Sequence, residues 1–278
     1  MADRYRLKTV TYKTPHTGRR VALCLLLAAL ILGVSWQLRE KLRLPFSFSL
    51  PGGQTKETRE SERDSREIAL SAHALYALQL GAFTQQSAAD QLAQAFSARG
   101  AAGYVYFDGE AYRVLAAAYP TRAEAQTVQT RLNAQSISTY IHPITQDSLS
   151  LRAGGTKDQV AALAEAAAYL DTLGDKLYTL SAALDAQQIS GPDALAALLS
   201  EGVTCAALRR GLLDAFDGAP PDSLSTLIRT LGDAADIAEA QRNKNSAVRI
   251  GAALKRCHLT VFFGLLAFCQ ETYNGIKN

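Results

Sequence analysis

Apolar positions along the chain fall into three regimes. Val21 to Leu38 is an unbroken run of uncharged residues. Residues 73–145 mix two-residue alternation with helical spacing, and residues 157–276 repeat leucine and alanine at intervals of three and four. Between the first two regimes, residues 39–72 carry Pro45, Pro51, Gly52 and Gly53, followed by an almost wholly charged or small polar stretch from Lys56 to Glu67. Such a stretch has little to bury and reads as a flexible linker. The pattern predicts a spanning helix over 21–38, a linker over 39–72, a mixed unit of strands and helices over 73–145, and a helical region over 157–276.

The mixed unit contains a duplication. Residues 76–106 resemble residues 112–142, with Tyr76 on Tyr112, Leu78 on Val114, Phe83 on Tyr119, Ala89 on Ala125, Leu92 on Val128, Phe96 on Leu132 and Tyr104 on Tyr140. Each copy runs from an alternating segment through helical spacing to a second alternating segment, which predicts β-α-β twice. Thr121 with Glu124 forms a capping box at the start of the second helix, and Asp108-Gly109 marks a turn between the copies. Two such halves give an α+β, ferredoxin-like βαββαβ domain: a four-stranded antiparallel sheet with two helices on one face. The other face is expected to be open.

Alternation sorts the side chains. Leu78, Leu80, Val114, Ala116 and Val105 are assigned to the helix side. Gln79, Arg113, Tyr104, Tyr106 and Tyr140 then fall on the open side, with His142 following Tyr140. Phenol rings beside an amide and a guanidinium suit a sugar chain, because rings cover the apolar faces of pyranoses while amide and guanidinium bond hydroxyls and acetamides. The plainer alternative is that tyrosines are good strand formers on any half-exposed sheet.

From Leu75 to Ile144 the unit resembles the sporulation-related repeat, or SPOR, family. The resemblance rests on Leu78-Gln79-Leu80-Gly81-Ala82-Phe83, on Ala89, Leu92 and Arg99-Gly100, and on Tyr112-Arg113-Val114 followed by Thr121-Arg122-x-Glu124-Ala125. It implies a non-catalytic domain that binds peptidoglycan, preferably glycan strands stripped of peptide stems, often at division or sporulation septa. It also implies that Gln79 and Arg113 bear most directly on the glycan, with Ala82 and Ile141 at neighbouring sites. Ile141 is a conflict, since alternation sends it inward, and a bulge in the last strand would resolve it in favour of the glycan face. Two departures stand out: Ala117-Ala118 replaces the family's Gly-Pro, and Ala111 its usual aromatic.

Charge orients the first segment. Arg4, Arg6, Lys8, Lys13, Arg19 and Arg20 precede the apolar run against the single acid Asp3, so residues 1–20 are expected to stay in the cytoplasm as a basic tail. The run is about 27 Å long at roughly 1.5 Å per residue, near the lower limit for a span. No small-x-small site ends it, which favours an uncleaved single-pass anchor over a signal peptide and puts the remainder outside the membrane.

In the helical region, Leu170, Leu173, Leu177, Leu180 and Leu184 form a heptad-like seam, and breaks at Ser190–Pro192 and Pro220-Pro221 divide the helices. One long helix is expected from about Asp222 to Tyr273. An antiparallel bundle is the simplest packing, with self-association or docking of an envelope protein as the alternative. Leu259 to Cys269 is too short an apolar stretch to span and is assigned to the core.

Net charge is +3, so no polyelectrolyte partner is implied. Cys24, Cys205, Cys257 and Cys269 have no metal-ligand spacing. A Cys205–Cys257 disulfide or buried free thiols both fit, the thiols better. His73 and His142 are candidates to meet where the first and last strands pair, but no metal or other cofactor is expected. A cell-wall amidase would need metal ligands or a nucleophile–base pair in the helical region, where His258 is the only histidine. RNA-recognition modules share the βαββαβ topology, but the strands lack their aromatic-rich basic motif, and no nucleic-acid partner is expected.

Overall fold

The computed structural model describes residues 63–277, all within the unit that runs from Arg59 to Asn278. The basic tail, the membrane helix expected over 21–38 and most of the linker lie outside the described residues.

Among the described residues, six strands and six α-helices follow in the order β1 (Arg63–Leu70), β2 (His73–Phe83), α1 (Gln86–Ser97), β3 (Tyr104–Phe107), β4 (Tyr112–Tyr119), α2 (Arg122–Ala134), β5 (Tyr140–Gln146), β6 (Leu149–Thr156), α3 (Lys157–Asp185), α4 (Gly191–Ala215), α5 (Ser225–Glu239) and α6 (Ala247–Lys277). Strands β2 to β5 form a four-stranded antiparallel sheet in the order β3-β4-β2-β5. This is the order of a split βαβ fold, with the two outer strands each reached through a helix.

Both helices pack on one face. Ala89, Ala93 and Val114 form one buried cluster, and Leu78, Ala116, Ala125 and Ile141 a second. The capping box at Thr121 and Glu124 starts α2 as the sequence predicts, with the Thr121 side chain accepting from the Glu124 N–H and the Glu124 side chain accepting from that of Thr121. At the tight joint between α1 and β3, Gly103 has φ +56°, and a Cβ there would stand 2.6 Å from the Ala93 carbonyl oxygen. The β2–β4 register shifts around Gln79, so Leu80 and Ala116 are the extra residues of a bulge.

The linker expected over 39–72 does not extend to residue 72. Residues 63–70 form β1, which pairs antiparallel with β6 in a two-stranded ribbon from Arg63↔Thr156 to Leu70↔Leu149. The strand is charged on its outer positions. Ile68 and Leu70 are nevertheless buried with Leu151 and Ala153 in the core built around α3. Two inward side chains and a full ladder to β6 suffice where a polar run alone gives no signal. Asp171 on α3 ties the ribbon down by accepting from the N–H and hydroxyl of Ser71, and it also bonds His73 Nε2 at 2.9 Å.

Helices α3 to α6 form the expected bundle. Thr156 caps α3, and Ser190 caps α4, which carries Pro192 in its first turn. Leu170, Leu173, Leu177 and Leu184 face the bundle core, with Leu180 partly buried against it. The single helix expected over 222–273 is two helices, because the polar interval 240–246 supplies no apolar face and turns the chain back. The stretch from Leu259 to Cys269 is core, as its sequence implied: Leu259, Val261, Phe262, Leu265 and Phe268 are all buried. Helix α6 is long and apolar enough to cross a membrane, but its apolar face is occupied within the bundle and against the sheet. Cys205, Cys257 and Cys269 are buried free thiols.

Candidate functional site

The second sheet face is not open along its length. Helix α6 lies across it, and Leu259 and Phe262 join Leu75, Ala77, Ala102, Leu115 and Ala118 in one buried cluster. Ala77 and Leu115 have no exposed surface. Phe263 covers the two β3 tyrosines, with ring centroids 5.2 Å from Tyr104 and 4.6 Å from Tyr106. The sequence shows why. Besides its tyrosines, this face carries Leu75, Ala77, Leu115 and Ile144, an apolar surface too large to leave in water. The expected saccharide platform of Tyr104 and Tyr106 is therefore mostly covered, and burial drives the Tyr104 phenol up to about 12 and raises that of Tyr106.

What α6 leaves uncovered is the end of the face where β2 and β4 pair last. Gln79 sits opposite Leu115 and Tyr140, Ala82 opposite Arg113, and Arg113 opposite Tyr106. Arg113 donates from Nη1 to Gln79 Oε1 at 2.9 Å and from Nε to Asp108 Oδ2. Asp108 is itself held by the turn, its Oδ1 accepting the N–H groups of Glu110 at 3.0 Å and Ala111 at 2.8 Å. These backbone bonds first, and Arg113 after them, hold the Asp108 carboxyl down at about 2.

The relay has a chemical consequence. A guanidinium offers only donors, so it turns the Gln79 amide with its oxygen toward Arg113 and leaves the amide N–H₂ for a ligand. Tyr140 is 62% exposed at this end and Ala82 is exposed beside it. His142, opposite Ala77 in the register, is half-buried. Burial first, then the Arg113 charge, lowers its imidazole from the ordinary range, so it is neutral near pH 7.

Of the residues picked from sequence, Gln79, Ala82, Arg113 and Tyr140 come together on accessible surface, and Tyr104 and Tyr106 are placed under Phe263. Ile141 pairs with Leu78 and is buried with Val128 and Leu132 beneath the helices. The bulge expected in β5 lies in β2 and β4 instead, so simple alternation holds at Ile141 and sends it inward. His73 and His142 do not meet, since His73 pairs with Gln146 and His142 with Ala77, four residues further along β2. Asp108 was legible only as a turn residue; its part in the relay follows from the five-residue return that brings Arg113 back beside it.

The fold and the relay define a split βαβ sheet module presenting a polar corner. Residues 72–142 match the family model described as the SPOR domain. The match covers about a quarter of the chain, and SPOR domains are non-catalytic modules that bind peptidoglycan. No curated protein and no solved structure matches the chain.

Proposed function

We propose that this protein binds the glycan strands of peptidoglycan through the Gln79–Arg113 corner of its SPOR domain and catalyses no step itself. The observation that carries the reading is the Asp108–Arg113–Gln79 relay, which fixes a guanidinium and an amide on the one part of the sheet face that α6 leaves free. Tyr140 beside them supplies a ring for a pyranose face, and Ala82 leaves room for the sugar to approach. The apolar run of residues 21–38 serves as a single membrane anchor, with the basic tail inside and the domain outside. An anchored domain meets its ligand at high effective concentration, so weak sugar contacts suffice. The site of action is the division or sporulation septum, and the helical bundle is the part thereby localised.

A pull-down of the full chain with purified sacculi, with and without excess single-stranded RNA, tests this. Sacculus binding that RNA does not compete, and that is lost in Gln79→Ala and Arg113→Ala proteins of normal fold, is the expected result. Binding unaltered by both substitutions would place the glycan elsewhere.

A further inference from the structure

Beside β3, the helical bundle adds a wall to the SPOR domain. A cavity of about 830 Å³ opens there, between a stripe of α1 that carries Gln86, Asp90 and Gln94 at every fourth residue and a stripe of α5 that carries Asp233 and Asp236. Arg256 and Thr260 of α6 complete the wall, and β3 lines the cavity from Tyr104 to Phe107. The volume is that of an ordinary small-ligand site, roughly 300–1,000 Å³. Helices α5 and α6 lie outside residues 72–142, which match the SPOR domain, so the cavity belongs to this chain and not to the SPOR unit alone.

The lining selects a class of ligand. Three carboxylates, one guanidinium and two amides border the cavity, and none of them has a hydrogen-bond or ion-pair partner among the described residues. The carboxylates oppose an anion such as phosphate or nucleic acid. Asp233 and Arg256 both act on the Tyr104 phenol yet do not pair with each other, so an acceptor, a donor and a hydroxyl stand together. A ligand of single charge meets one of the two charged groups as an opponent. A polyol, whose every hydroxyl both donates and accepts, matches all three. With their rings beneath Phe263, Tyr104 and Tyr106 offer the cavity their hydroxyl edges. Phe107 is 56% exposed against Tyr112, with ring centroids 4.9 Å apart, and a pyranose face would cover this aromatic surface.

The cavity is continuous with the polar corner. Tyr106 lines it, stands opposite Arg113 in the ladder and has its phenol within electrostatic reach of Arg113 and Asp108, so one residue borders both the cavity and the relay. We propose that the cavity is a second saccharide subsite, in which Gln94, Asp233 and Arg256 hold sugar units of the same glycan strand whose neighbouring units occupy the Gln79–Arg113 corner. The inference rests on the glycan reading of that corner and adds that the bundle itself contacts the strand. The strand passes from the corner over Tyr106 toward Tyr104. Joining two weak subsites through one ligand makes the second contact intramolecular, so affinity grows with strand length.

Calorimetric titration of the full chain with β-1,4-linked N-acetylglucosamine oligomers tests this, with the disaccharide and the hexasaccharide as probes. The hexasaccharide is expected to bind the parent protein more tightly than the disaccharide. Gln94→Ala/Asp233→Ala changes two exposed positions and so retains the fold. It is expected to lower hexasaccharide affinity about tenfold, as loss of a hydrogen bond to a charged group does, and to leave disaccharide binding unchanged. Gln79→Ala should weaken both oligomers. A hexasaccharide bound no better than the disaccharide, or bound equally by the Gln94→Ala/Asp233→Ala protein, would overturn the second subsite and leave the corner standing. Unaltered binding of both oligomers by the Gln79→Ala protein would overturn the corner instead.

Discussion

The ring of Phe263 stacks on that of Tyr104, with centroids 5.2 Å apart and planes 15° from parallel. Through this contact a helix outside the βαββαβ unit becomes the second layer of its sheet. The arrangement makes the SPOR domain and the bundle share a core and leaves the Gln79–Arg113 corner as the accessible polar part of that face.

Phe263→Ala should therefore cost stability without costing glycan binding. Truncating a half-buried ring between two tyrosines is expected to remove about 3 kcal/mol, read from the urea midpoint. Sacculus binding by the folded protein should be unchanged. A marked gain in binding would mean that Tyr104 and Tyr106 form the true sugar platform once α6 is loosened.

Arg113→Lys separates charge from geometry. An ammonium is a point donor and cannot reproduce the fork that meets Asp108 and Gln79 together. Loss of one such bond corresponds to about 1–2 kcal/mol, or roughly tenfold in sacculus affinity. A lysine protein that binds as well as the parent would show that positive charge alone is used.

His258 makes stability depend on pH. It is buried near Tyr178, and burial first, then the neighbouring His73, pulls its imidazole down to about 4. The unfolded chain takes up a proton below about 6.5 while the folded chain stays neutral down to about 4. Stability from this group is thus complete above pH 6.5 and falls as the pH drops from there toward 4. Urea midpoints measured at pH 7 and pH 5 should show the decline, and His258→Gln should flatten it. A slope identical in both proteins would remove His258 as its source.

Gly264 sets how closely α6 approaches α5. A Cβ there would stand 2.1 Å from Thr230 Oγ1 and 2.8 Å from its Cβ. Gly264→Ala is expected to lose about 1–3 kcal/mol through overpacking. Thr230→Ala in the same chain should restore only part of it, since the threonine Cβ remains. A Gly264→Ala protein as stable as the parent would show that the helices separate without penalty.

Much of the domain was legible because local pattern and tertiary role agree in it. The duplication gave β-α-β twice and Thr121 with Glu124 marked the start of α2, whereas Ile141, assigned to the glycan face on an expected bulge in β5, is buried under the helices because the bulge lies in β2 and β4. Strand β1 was hidden because its inward residues are only Ile68 and Leu70, and a polar ribbon strand derives its order from β6. The break between α5 and α6 was hidden because helical spacing resumes beyond the polar residues Gln241–Ser246.

The sequence by itself determined the split βαβ topology, the sheet face of most strand residues outside β5, and the leucine seams of the bundle, because each is written in spacing along the chain. Only the tertiary structure decided that α6 covers Tyr104 and Tyr106 and that Asp108 braces Arg113 against Gln79. Those relationships join residues as far apart as Tyr104 and Phe263 or Gln79 and Arg113. No periodicity encodes them, and they exist only once apolar surfaces have chosen one another in three dimensions.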